Sequence, residues 1–304
     1  MQITKALLVE NEACEDQIKL FEEFLDGTES VEATTENVQR AYTFGLDVSW
    51  TFGVLGLNFT GMLERNDYQA WYQNGKLHRE DGPAVINPDG SEHWYLNGKL
   101  HRADGPAVIH SDGYQVWYQN GRYHREDGPA VICSDGTKRY YQNGKFHRTD
   151  GPAVVYSDGT RQYYLNGRYH REDGPAVVYS DGTRQYYLNG KFHRTDGPAV
   201  TNPSGYQAWY LNGKRHREDG PAVINSNGAK HWYQNGKYHR TDGPAAICLD
   251  GSQAWWLNGE LHREDGPAII YSDGTKHYYL NDELLTEEEH CLRIRPIAAP
   301  QGTS

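Results

Sequence analysis

The seven-residue motif His-Arg-x-Asp-Gly-Pro-Ala begins at His78 and recurs at His101, His124, His147, His170, His193, His216, His239 and His262, always 23 residues on. A fixed period of this length means that neighbouring copies share one supersecondary unit and bury their apolar faces against one another. Between copies runs a second motif, an aromatic pair followed by x-Asn-Gly and usually Lys or Arg, as in Trp94-Tyr95-Leu96-Asn97-Gly98-Lys99. Residues 146–168 and 169–191 differ at only three positions.

Within a unit, Asn-Gly between two short apolar or aromatic runs accepts the positive φ angles of a type I′ turn and closes a two-residue hairpin. The next run, Pro106-Ala107-Val108-Ile109, is short and β-branched, with Pro where a strand need not donate. It ends at Ser111-Asp112-Gly113, a second turn. No helical period runs through the array. The fold class expected is therefore mainly β: an elongated antiparallel β-hairpin repeat array behind a small helical N-terminal domain or cap. A β-solenoid with one coil per repeat is the alternative.

Three segments follow. Residues 1–65 are acidic and partly helical, residues 66–281 hold the tandem repeats, and residues 282–304 form a C-terminal cap and tail. In the first, Cys14, Ile18, Phe21 and Leu25 recur at helical spacing and stop at Asp26-Gly27. Thr34-Thr35-Glu36-Asn37 reads as a second helix start, and the apolar stretch from Trp50 to Phe59 is suited to dock on the first repeat. A terminal repeat needs its open end covered, so capping is the plainest role for residues 1–65. Partner binding or dimerisation is the other.

Charge narrows the function classes. Of the 41 acids and 30 bases, residues 1–65 carry 12 and 4, residues 66–281 carry 24 and 24, and the tail from Asp282 carries 5 and 2. The array is balanced, which suits neither a nucleic-acid binder nor a mimic of one. No apolar run reaches the length of a membrane span, the N-terminus makes a poor signal peptide, and the mean hydropathy is −0.85. The four cysteines have no framework or zinc spacing. The expectation is a cytoplasmic protein with no nucleic-acid or membrane partner.

With these residues in view, the array resembles the MORN repeat family and its bacterial variants, whose 23-residue unit also combines an aromatic, Asn-Gly-Lys, a His turn and an Asp-Gly turn. Tyr118, Asn120-Gly121-Arg122, His124 and Asp135-Gly136 are the matching pieces. His-Arg-x-Asp-Gly-Pro-Ala stands where that family has His-Gly-x-Gly, and two fewer residues follow the Asp-Gly turn. The resemblance implies a row of antiparallel hairpins used as a scaffold, and in some bacterial relatives as the antitoxin of a toxin pair. The segment KALLVENEACEDQIKLFEEFLDG is similar to short acidic helical leaders of phage and prophage proteins, which implies a phage-encoded protein acting in the cytoplasm of a bacterial host.

The repeated chemistry reads as structural. His-Arg-x-Asp lacks the spacing and the phosphate loop of a kinase catalytic loop. Equivalent histidines in successive repeats lie about 10 Å apart at two strand spacings, too far to share a zinc ion. The Asp-Gly turns lack the alternating acids of a calcium loop, and Asn58-Phe59-Thr60 is a lone match to a glycosylation acceptor. The expectation is no catalytic residue, no metal and no cofactor. The turn motif (His78, Arg79, Asp81; His124, Arg125, Asp127; His170, Arg171, Asp173) holds the units together, with Arg pairing to an Asp of its own or the next repeat.

The aromatic pairs are the candidates for recognition, because adjacent strand residues face opposite ways and Trp, Tyr and Arg dominate interfaces. The candidate partner-binding row is the first ring of each pair: Trp71, Trp94, Trp117, Tyr140, Tyr163, Tyr186, Trp209, Trp232 and Trp255. The residue before each pair (Ala70, His93, Val116, Arg139, Gln162, Gln185, Ala208, His231, Ala254, His277) is the most irregular, which reads as a surface row. The function expected is a non-catalytic scaffold that binds, and inhibits or sequesters, a cytosolic protein, with homo-oligomers forming through the N-terminal segment. Alternatives are a glycan- or cell-wall-binding protein and a membrane-surface scaffold.

Overall fold

The computed structural model describes residues 1–294. The chain divides into two compact units, Met1–Arg148 and Thr149–Ser304. Each is mainly β, an open antiparallel sheet in which every inner strand pairs with its neighbours along the chain. A solenoid coil would pair equivalent strands in parallel; the pairings here are antiparallel throughout.

The first unit begins with strand β1 (Gln2–Thr4), helices α1 (Lys5–Glu10) and α2 (Glu15–Leu25), strand β2 (Ser30–Glu32), and helices α3 (Thr35–Phe44) and α4 (Val48–Val54). The two helices legible in the sequence are α2 and α3. The first stops at Asp26 and Gly27, both at positive φ; the second starts where the Thr34 hydroxyl accepts the Asn37 N–H, an N-cap that satisfies an orphan donor. The β1–β2 pair, with Ile3 opposite Val31, and the short α1 carry too few residues to show a period. Ile3, Leu8, Phe21, Leu25, Val38 and Phe52 are among the residues that form the core of this domain.

Strand β3 (Gly61–Arg65) then pairs along β4 (Tyr68–Gln73), the first aromatic-pair strand, with Met62 opposite Trp71. It supplies the neighbour that an earlier repeat would have given. Phe52 and Phe59 stack at 5.1 Å and both meet the Tyr72 ring edge-on. The Phe59 carbonyl accepts the Gly75 N–H at 2.8 Å. A Cβ on Gly75 would lie 2.5 Å from the Leu57 carbonyl oxygen, so only glycine fits this first Asn-Gly turn against the cap.

In the second unit the last strand pair, Lys276–Leu280 with Glu283–Leu285, is followed by helix α5 (Glu287–Ile294). His290 is 1% exposed, and its Nε2 lies 2.6 Å from the Arg263 carbonyl oxygen. This contact ties α5 to the last copy of the motif.

Candidate interaction surface

Each repeat contributes two pieces. One is a pair of two-residue strands in the main sheet; the other is a small hairpin set beside it. In the repeat of Trp94, Glu92–His93 pairs with Val85–Ile86 on one side and Val108–Ile109 on the other. The chain then leaves the sheet at Trp94, whose N–H bonds the Ala107 carbonyl at 2.7 Å. Tyr95–Leu96 folds back on Lys99–Leu100. Asn97 and Gly98 have φ of 51° and 76°, as a type I′ turn requires.

Successive hairpins are joined through the histidine. Its Nδ1 accepts the backbone N–H of the Asn one repeat on: His78 from Asn97 at 3.1 Å, His124 from Asn143 at 3.2 Å, His170 from Asn189 at 3.2 Å. Beside it, the Arg79 N–H bonds the Tyr95 carbonyl and the Gly98 N–H bonds the Leu77 carbonyl. The histidine is therefore a linking acceptor.

The arginine organises the rest of the motif, within its own repeat. Nε donates to the Asp two residues on, at 2.9 Å for Arg79 to Asp81 and 2.8 Å for Arg125 to Asp127 and Arg171 to Asp173. A terminal nitrogen reaches the Pro carbonyl, as Arg194 does to Pro198 at 3.2 Å. Those hydrogen bonds, and then the charge, hold the aspartate carboxyls below the usual range. A Cβ on Gly128 would lie 2.9 Å from the Arg125 guanidinium carbon, so the motif's glycine makes room for the arginine.

The flat face of that guanidinium covers the first ring of the pair. In all nine repeats, from Trp71 under Arg79 to Trp255 under Arg263, the distance to the ring centroid is 3.9–4.1 Å. The candidate rings Trp71, Trp94, Trp117, Tyr140, Tyr163, Tyr186, Trp209, Trp232 and Trp255 are thus half-buried, each with one face closed by a cation–π contact. The sequence shows the ring and the arginine but not that the seven intervening residues of hairpin bring them together.

The second ring goes elsewhere. It stacks with the residue that precedes the histidine and then with the second ring of the next repeat. In the second unit Tyr164, Tyr169, Tyr187, Phe192 and Tyr210 follow one another at centroid distances of 4.2–5.0 Å. Burial, and then its neighbour Tyr169, push the Tyr187 hydroxyl up to about 12. At the next place the ring is replaced by Arg215, which bonds the hydroxyls of Tyr210 and Tyr233.

This aromatic column packs on one face of the main sheet. Val108, Val116 and Val131 lie against Tyr118, Tyr123 and Tyr141, and Ala208 and Val223 lie against Tyr210 and Tyr238. The irregular row before each pair is on that inner face, which corrects its reading as a surface row. Ala70 and Ala208 are fully buried and Val116 is 1% exposed. Its polar members meet the column: the Tyr164 hydroxyl donates to Gln162, the Tyr187 hydroxyl to Gln185, and Tyr238 lies 3.5 Å from His231 Nδ1.

The outer face carries the neighbouring positions. In the second unit Val155 opposes Arg161, Val178 opposes Arg184, Ile224 opposes Lys230 and Ile270 opposes Lys276. The cations are exposed and the aliphatic residues half-buried, with no further layer over them among the described residues of this unit. Sequence reasoning passed over this row because Lys, Arg and Gln in a repeat read as ordinary solvated polarity. The signal available was strict alternation: in each short strand one residue is inward and the other outward.

Among the described residues no helix is long and apolar enough to cross a membrane, and no three His, Cys, Asp or Glu side chains come together. No family model matches the chain, and no match is found among curated proteins.

Proposed function

We propose that this protein is a non-catalytic repeat scaffold that binds a cytosolic protein and thereby sequesters or inhibits it. One observation carries the reading. The polar side chains that recur in every unit and would otherwise suggest chemistry are engaged in the unit's own construction: His with the next turn, Arg with Asp, Pro and a ring. What is left outward is a row of mostly aliphatic residues opposite polar ones that change from repeat to repeat, Glu92, Gln115, Gln207 and Gln253 in some and Lys138, Arg161, Arg184, Lys230 and Lys276 in others, the kind of surface that distinguishes partners. The likeness to MORN repeats and to phage leaders supports an antitoxin-like or anti-defence role in a bacterial host.

The test is capture by cross-linking in bacterial cells, followed by reconstitution of the recovered protein with the purified chain. A one-to-one complex weakened at least tenfold by Arg161→Glu with Arg184→Glu supports the reading. A complex indifferent to those changes, or specific retention on polysaccharide in their place, overturns it.

A further inference from the structure

The N-terminal domain holds a cavity of about 290 Å³ that the repeat array does not use. Its walls include the domain's own core residues Leu8, Phe21, Val38 and Ala41, each less than a tenth exposed. Packed interiors leave few voids larger than a water molecule. A space of this size, near the lower end of small-ligand pockets at roughly 300 Å³, is shaped for an apolar group from outside.

The charged residues of the lining have one sign. They are Glu12, Glu32 and Asp47, all exposed, and none of the domain's four bases is among the lining residues. The Asp47 carboxylate caps α4 by accepting the Ser49 N–H. The side chains of Glu12 and Glu32 make no ion pair or hydrogen bond among the described residues. The two amides in the lining are already bonded: Gln17 accepts the Asp47 N–H, and Asn37 donates to the Glu32 carbonyl.

We infer that this cavity is a binding site for a small amphiphilic amine, its apolar body between α2 and α3 and its cationic group at Glu12 and Glu32. The site is independent of the outer face of the repeats.

Full-length protein would be titrated calorimetrically with 4-phenylbutylamine, 4-phenylbutanol and 4-phenylbutyrate, which share an apolar body and differ in charge. Alkylation of Cys14, an exposed thiol in the lining, would be followed by peptide mass spectrometry with exposed Cys248 as the internal reference. The expected result is saturable binding of the amine at least tenfold tighter than of the carboxylate, with Cys14 protected and Cys248 not. Ala41→Leu, which fills the cavity from α3, is expected to abolish binding while leaving the unfolding temperature equal or higher. Glu12→Gln with Glu32→Gln is expected to erase the preference for the amine over the alcohol. No saturable binding, equal binding of the carboxylate, or full affinity in a folded Ala41→Leu protein would overturn the inference.

Discussion

The Nδ1 atom of His170 accepts the backbone N–H of Asn189, 3.2 Å away and nineteen residues along the chain. This contact, with the Asn189 Oδ1 3.0 Å from the same ring nitrogen, joins the end of one hairpin to the turn of the next. Replacing His170 with Ala leaves the Asn189 N–H without its partner at a position where φ is already positive. The expected loss is about 0.5–1.5 kcal/mol, the net worth of one hydrogen bond at an exposed position where water takes the acceptor's place. Urea unfolding measures the total, and amide exchange should show the largest loss of protection at Asn189 and Gly190.

Arg217 tests a different kind of fit. It covers the Trp209 ring at 4.0 Å while donating to Asp219 and to the Pro221 carbonyl. A lysine keeps the charge but not the planar fork that makes all three contacts. Arg217→Lys and Arg217→Ala are expected to lower the unfolding temperature by similar amounts, with the ring contact alone contributing about 0.5–2 kcal/mol. Full retention by the lysine variant would show that charge, not shape, matters there.

Much of this construction was open to the sequence, and the limit is instructive. Asn97-Gly98 and Asp112-Gly113 mark turns because few residue pairs tolerate their backbone angles, so strand order and antiparallel pairing follow locally. The orientation of the irregular row did not follow. Variability at Gln162, Gln185 and His231 looks like surface freedom, yet each faces a tyrosine or its hydroxyl in a hairpin set on the sheet. That placement depends on how the chain leaves the sheet at the first ring, a tertiary fact with no short-range signal. The cavity was equally hidden: Glu12 and Glu32 are ordinary acids until the link from α1 to α2 and strand β2 place both in its lining.

Arg215 interrupts the aromatic column and holds the hydroxyls of Tyr210 and Tyr233. Arg215→Tyr would restore the sequence of rings seen at Tyr164, Tyr169 and Tyr187, and offset-stacked pairs add about 0.5–1.5 kcal/mol each. The variant is expected to unfold at a temperature equal to or above that of the parent. Arg215→Ala, which leaves a gap between two rings, is expected to unfold lower.

Acid should weaken the array in two stages. Burial holds His93 and His231 below their ordinary value, with a neighbouring His110 or Arg215 adding to the effect. The unfolded chain then takes up protons first, near pH 6.5, so stability is whole above that pH and falls as pH drops toward the folded values. The aspartates bonded to arginine have lowered values, and their contribution is present above about pH 3.9 and lost below it. Denaturation midpoints measured from pH 8 to pH 3 should show both declines. The combined His93→Gln and His231→Gln protein should show a shallower upper decline and an unchanged lower one.

Arg184 and Gln185 are adjacent in sequence and lie on opposite faces of one two-residue strand. Arg184 pairs with Thr201 and Val178 on the outer side; Gln185 accepts the Tyr187 hydroxyl on the inner side. Their substitutions should therefore separate binding from stability. Arg184→Glu removes no internal contact and is expected to change stability by no more than about 0.5 kcal/mol, while reversing the charge that faces a partner. Gln185→Ala removes an internal acceptor and is expected to cost about 1 kcal/mol, with partner affinity unchanged in the folded protein. Equilibrium unfolding and a binding titration on both variants decide the matter: the opposite pattern would mean that recognition runs through the inner column and not the outer face.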